Sequence, residues 1–192
     1  SNYMDPDQLT WLTNQLQNST DEWKIAFFHH PLYSSAAAHG SSVELRGILE
    51  PLFQRYGVQV VFSGHDHVYE RMTPQKGIAY FTAGSSGQLR RGDIRGAAFS
   101  AKSFDTDCAF MLVEITPNEL YFQTISRTGE TVDSGKVVRV ESKKENAPAG
   151  TRPQQVTPPT APQVTAPPGA TQPLMTPRAL QPGSGVQTRP RL

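Results

Sequence analysis

Apolar positions along the first 140 residues alternate between two spacings. Leu9, Leu12 and Leu16 recur at helical intervals, with Trp11 beside them. Asp5-Pro6-Asp7-Gln8 opens that run as a helix start. Asp5 suits the cap, Pro6 the first helical position, and Gln8 the place of a capping-box partner. The helix is predicted to end near Asn18-Ser19. Trp23 to Phe28 then reads as a buried strand, because Ile25-Ala26-Phe27-Phe28 is continuously apolar. It stops at His29-His30-Pro31, and a loop of small residues follows from Ser34 to Ser42. Ser41 and Glu44 form a second capping pair ahead of a helical stripe of Leu45, Ile48, Leu49, Leu52 and Tyr56. Pro51 inside that stripe predicts a kink or break near Glu50, and Gly57 a stop.

Val58 to Phe62 is the next apolar strand, and it runs into Ser63-Gly64-His65-Asp66-His67. Gly77 to Thr82 is a further strand, ending in the loop Ala83-Gly84-Ser85-Ser86-Gly87. Ala109 to Ile115 and Glu119 to Ser126 pair as a hairpin around Pro117-Asn118, and residues 131–140 add one short strand. Buried strands alternating with helices predict an α/β layered sheet.

Composition changes the picture at the far end. Residues 141–192 hold 11 of the 16 prolines and no Trp, Tyr or Phe. Such a segment lacks the apolar surface to offset its ordering entropy. We therefore divide the chain into a folded part, residues 1–140, and a disordered Pro/Thr-rich tail, residues 141–192. The tail reads as a partly polyproline-II spacer without a specific partner. A net charge of +1 gives no argument for nucleic-acid binding, and Arg178, Arg189 and Arg191 lie dispersed among the prolines. The single Cys108 excludes an intrachain disulfide framework and is expected in the core or a strand. No run of 18 apolar residues predicts a membrane span.

The chemistry-bearing residues cluster at strand ends. His29 follows the first apolar strand, His65 and His67 follow the second, and His39 sits in the loop between. The carboxyl ends of strands are where open α/β sheets build sites. Imidazole nitrogen suits zinc, iron and manganese. Two histidines one residue apart, on a bend that Gly64 permits, point to two different ions.

Gly64-His65-Asp66-His67-Val68-Tyr69-Glu70-Arg71 resembles the G-H-x-H-x-Y-E-R signature of purple acid phosphatases, within the calcineurin-like metallophosphoesterases. His29-His30-Pro31-Leu32-Tyr33-Ser34 resembles their upstream H-x-P-x-Y/W-S block. The resemblance covers about residues 1–135. It implies the second half of a four-layer αββα sandwich and metal-dependent hydrolysis of a small-molecule phosphate ester. It further implies His29 and His65 on one exchangeable metal, His67 on the other, and iron paired with zinc, manganese or a second iron. His39 would then be the general acid for the leaving group. His30 occupies the variable position and is expected to line the cleft. Tyr69, Glu70 and Arg71 are expected to brace the loop, Asp66 to support it, and Gly84–Gly87 to be a plain turn. Arg90 and Arg91 are expected to be solvated.

The family's D-x-H, G-D-x-x-Y/D and G-N-H-E blocks are absent, and the only Gly-Asp pair, Gly92-Asp93, falls after the histidine loop. The chain is accordingly expected to be part of a longer enzyme and inactive alone. Any export signal would lie upstream, and family habit with the Pro/Thr-rich tail favours a secreted or periplasmic location. Two other readings stay open: a phosphodiesterase or nucleotidase of the same superfamily, and a non-catalytic binding fragment.

Overall fold

The computed structural model describes residues 5–140. The expected tail lies outside the described residues. The elements are α1 (Pro6–Asn18), β1 (Ile25–Phe28), α2 (Val43–Tyr56), β2 (Val60–Ser63), β3 (Tyr69–Met72), β4 (Ala79–Ala83), β5 (Ser100–Phe104), β6 (Ala109–Ile115), β7 (Glu119–Ser126) and β8 (Thr131–Val138). Five strands form a mixed sheet in the order β1-β2-β4-β3-β5, and three form an antiparallel sheet, β6-β7-β8.

Two apolar clusters stack these elements into layers. Leu45, Leu49 and Phe53 of α2, with Leu12 and Leu16 of α1, pack with Val61, Met72 and Tyr80 on one side of the mixed sheet. On the other side Val60, Tyr69, Ala79 and Phe81 meet Leu120 and Phe122 of the antiparallel sheet. The order is helices, sheet, sheet, an α/β arrangement consistent with part of an αββα sandwich. Along β7 the alternation is strict: Leu120, Phe122, Thr124 and Ser126 are buried. On the opposite face of that sheet Phe110 and Leu112 are exposed.

Strand register positions the site. β1 and β2 are parallel with Phe28 opposite Ser63, and β2 and β4 are parallel with Ser63 opposite Thr82. The segments beginning at His29, Gly64 and Gly84 therefore leave the sheet along one edge.

Several expectations shift. Helix α2 runs through Pro51 without a break. An interior proline costs about 3 kcal/mol or more, and burial of Leu45, Leu49 and Phe53 on both sides of it offsets that cost. The α2 cap is Ser42, not Ser41; the Ser41 hydroxyl instead accepts from the Ser34 N–H at 3.0 Å. Trp23 lies ahead of β1 and donates its indole N–H to the Thr116 carbonyl at 2.7 Å. Cys108 is half-buried just before β6. Strands β3 and β5 are unforeseen, because Tyr-Glu-Arg-Met and Ser-Ala-Lys-Ser-Phe show no apolar pattern. Among the described residues no helix is long and apolar enough to cross a membrane.

The helical side of the mixed sheet contains a buried acid. Glu50, 4% exposed, accepts from the hydroxyls of Tyr33 (2.7 Å) and Tyr80 (3.3 Å) and pairs with Lys76 at 3.1 Å. Burial alone would raise its pKa, but the donors outweigh burial and hold the carboxyl below its usual range. Burial, and then the bond to Glu50, push the Tyr33 phenol up to about 12. The folded state thus keeps the Tyr33 proton longer than the unfolded chain does. Its contribution to stability is complete below about pH 10 and is lost as pH rises toward 12. Urea midpoints measured across that interval should fall, and they should fall less steeply in Tyr33→Phe.

Candidate metal centre

Two loops deliver the histidines. Turning out of β2, the chain bends at Gly64, whose N–H reaches the His29 carbonyl at 3.0 Å. His65 follows in the left-handed region, φ 65°, where side chains other than glycine are uncommon. The outcome is that His65 Nδ1 lies 3.0 Å from His29 Nε2. His30 joins them: ring centres are 5.0 Å apart for His29–His30, 4.9 Å for His29–His65 and 4.5 Å for His30–His65. His39 comes in from the β1–α2 loop, its ring 4.2 Å from that of His65. His30, His39 and His65 face a polar cleft of about 530 Å³, which Ser41, Ser42 and Glu44 also line.

His67 is placed differently. It is half-buried, its carbonyl accepts the Arg90 N–H at 2.9 Å, and its Nδ1 is buried with no hydrogen-bond partner. The carboxylate of Asp66, 1% exposed, is likewise buried and without a hydrogen-bond partner at either oxygen, as is the hydroxyl of Ser85. The three histidines whose nitrogens all lie within 4.8 Å of one another are His29, His30 and His65. His67 is outside that trio, and His30, expected only to line the cleft, is inside it.

Three supports fix the loops. The first is Gly84. A Cβ there would stand 2.0 Å from the Asp66 carbonyl oxygen, and the Gly84 N–H bonds the Val68 carbonyl at 3.0 Å. The segment expected to be a plain turn thus packs backbone against backbone under the histidine loop. The second is Glu70, fully buried, which accepts the Ser35 N–H (2.8 Å) and hydroxyl (2.6 Å) and the Ser100 hydroxyl. It ties the loop after His29 to β3 and β5. The third is Asp133 on β8, which accepts from the Tyr69 hydroxyl (2.7 Å) and from the Arg71 guanidinium at 2.8 and 3.2 Å. The Tyr-Glu-Arg triplet therefore braces the loop, as expected. The partners Ser35, Ser100 and Asp133 were not foreseen, since nothing in their own sequence neighbourhoods marks them.

Electrostatics favour a neutral imidazole at His65. Burial, then the neighbouring His39, His30 and His29, lower the pKa of His65, and Asp66 opposes them weakly. A neutral ring is the ligand form. Crowded imidazoles and the unpartnered His67 Nδ1 form a nitrogen donor set that fits zinc, iron or manganese.

Residues 2–69 match the sequence profile of the Calcineurin-like phosphoesterase family. Purple acid phosphatase 1 of Ipomoea batatas is 43% identical over 77 residues, which is 38% of this chain and 16% of that protein. The Fe(3+)-Zn(2+) purple acid phosphatase 12 of Arabidopsis thaliana is 44% identical over 77 residues, with the same two coverages of 38% and 16%. Mouse tartrate-resistant acid phosphatase type 5 is 28% identical over 135 residues, 65% of this chain and 40% of that protein. The chain thus spans less than half the length of these relatives. Among solved structures, a Plasmodium protein described as the anchor in the inner membrane complex superposes with TM-score 0.66 at 26% identity. That alignment covers 74% of this chain and 47% of the other. A purple acid phosphatase from yellow lupin seeds shares the fold, with TM-score 0.63 at 21% identity, over 69% of this chain and 28% of its own.

Proposed function

We propose, for a chain related to the calcineurin-like phosphoesterases and within them to the purple acid phosphatases, that it supplies the imidazole side of a two-metal centre hydrolysing phosphate monoesters. The observation that carries the reading is the 3.0 Å approach of His29 Nε2 and His65 Nδ1 from two separate loops at the ends of adjacent parallel strands. His29 and His65 would hold one ion and His67 the other. An iron–zinc pair of the kind named for the Arabidopsis relative suits these ligands. Such a pair supplies Lewis acidity toward phosphoryl oxygens and makes water acidic enough to attack at neutral pH.

The chain's own residues have three tasks. The imidazoles present neutral nitrogens, the Gly84 and Glu70 contacts hold the two loops in place, and His39 delivers a proton to the departing oxygen. Its position in the lining of the polar cleft, beside His65, supports that role.

Ligand counting sets the expected result. His67 alone on the second ion, with no carboxylate to bridge the pair, falls short of the three protein ligands plus water that catalytic zinc normally has. The chain alone, given zinc, iron or manganese, should release no phosphate from p-nitrophenyl phosphate at an enzymatic rate. A longer form that carries the carboxylate ligands should release it, and His65→Ala in that form should lose most of the rate. Equal rates for the chain alone and the longer form, or for His65→Ala and its parent, would overturn the reading.

The Plasmodium neighbour supports a second reading, since its description is of an anchor. A longer form that binds metal yet releases no phosphate from any ester would favour that non-catalytic role.

A further inference from the structure

The geometry points to a third ligand on the ion shared by His29 and His65: we propose that His30 completes a three-imidazole site able to bind one zinc ion without any carboxylate. The inference rests on the reading of His29 and His65 as metal ligands. It adds a residue that the H-x-P block leaves unspecified.

The argument is one of spacing. Zinc–nitrogen bonds are 2.0–2.1 Å, so two imidazole nitrogens on one tetrahedral ion stand about 3.3 Å apart. The ring centres, about 1.1 Å beyond each nitrogen, then stand on the order of 5 Å apart. His29 Nε2 and His65 Nδ1, at 3.0 Å, are near the first value. All three ring pairs, at 5.0, 4.9 and 4.5 Å, are near the second. Rings packed for burial reach such separations too, as Tyr33–Tyr80 and Phe81–Phe122 do at 4.9 Å; what sets this trio apart is that one nitrogen from each lies within 4.8 Å of the other two. The rings are also not stacked on one another. His29 is edge-on to both partners, at 88° and 72°, and His30 is tilted 48° to His65.

Access and chain geometry agree. His30 and His65 line the polar cleft, which gives an ion a hydrated route in. Pro31 is fully buried and follows His30 directly, so the backbone that carries His29 and His30 is anchored on one side. On the other side, the His29 carbonyl accepts the Gly64 N–H at 3.0 Å, which couples the pair to the His65 loop. Three protein nitrogens and one open position form the usual coordination of a catalytic zinc. His39, its ring 4.2 Å from that of His65 and lining the same cleft, stands where a group bound at that open position would meet it.

The test is a titration of the 192-residue chain with zinc by calorimetry, and with cobalt(II) followed by its visible ligand-field bands. The parent should take up one zinc at this site and show the intense spectrum of four-coordinate cobalt. Loss of a hydrogen-bonding partner outside the ligand sphere already weakens metal binding by about 10–100-fold. His30→Ala and His30→Gln should therefore each weaken zinc more than about tenfold, with a weaker cobalt spectrum and unchanged circular dichroism. If both His30 variants bind like the parent while His65→Ala does not, His30 is no ligand, and the assignment of His29 and His65 stands without it. If His65→Ala binds like the parent, this proposal and the reading beneath it fail together.

Discussion

Asp133→Ala should destabilise the folded unit by about 3 kcal/mol, the cost of removing one partner from a largely buried ion pair. The Asp133 side chain is 7% exposed and that of Arg71 is 28% exposed. Four donors converge on this carboxylate: two from Arg71, one from the Tyr69 hydroxyl and one from the Ser134 N–H. Tyr69 and Arg71 belong to the mixed sheet and Asp133 to the antiparallel one, so the pair spans the packed layers. Truncation leaves the guanidinium facing Phe122, over whose ring it lies at 5.5 Å, without its counter-ion. A single buried cation without a partner costs more than the pair is worth. Replacing both charges, as in Arg71→Met with Asp133→Leu, should consequently recover much of the loss. Urea unfolding of the two singles and the double closes the cycle. An Asp133→Ala midpoint equal to the parent's would mean that apolar packing alone joins the sheets.

Gly84→Ala should act on the site more than on the fold as a whole. Its new methyl would stand 2.0 Å from the Asp66 carbonyl, a backbone atom that cannot rotate away. Either the loop after β4 retreats or the loop that carries His65 and His67 is pushed outward. Overpacking of this kind costs about 1–3 kcal/mol, yet misplacement of an imidazole by a fraction of an ångström is enough to spoil coordination. Zinc affinity of the chain should therefore fall more than about tenfold, an energy of about 1.4 kcal/mol. The imidazole resonances of His65 and His67 should shift in NMR spectra. Gly87→Ala, where a Cβ meets nothing within 4 Å, is the control. If Gly84→Ala binds zinc like Gly87→Ala, the loop is not held from beneath by that glycine.

Much of the site was legible in the chain. The apolar runs Ile25–Phe28 and Val60–Ser63 were legible as strands, and the histidines follow them directly, so position along the sequence already implied position along one sheet edge; only β2 is interior, while β1, expected to be buried, stands at the sheet's edge with Phe27 82% exposed. The triplet after the second histidine was legible as a brace, but its partners were not. Asp133 lies 62 residues from Arg71, and Ser35 lies 35 from Glu70. Only the tertiary fold brings such pairs together. For the same reason β3 and β5 escaped notice. In β3 the buried Glu70 and half-buried Arg71 are satisfied by long-range bonds, and β5 is a part-exposed edge strand, so neither leaves a hydrophobic trace. Pro51 misled in the opposite sense: a local rule predicted a break, and core packing on both sides kept the helix whole. His30 shows the limit of reading by motif. At a position that a pattern leaves open, only coordinates reveal what a side chain meets.

The left-handed backbone at His65 sets folding and chemistry against each other. An L-residue with a Cβ held there costs roughly 1–2 kcal/mol relative to glycine. Improvement of the scaffold by thermal resistance alone would thus tend to replace the imidazole at this position with glycine. The most robust descendants would be those that had lost a ligand. On the proposed metal role, the histidine at φ 65° serves through its nitrogen at the expense of what its backbone prefers. Consensus-style stabilisation of this chain should accordingly leave position 65 alone and draw its gains from the outer face of the antiparallel sheet.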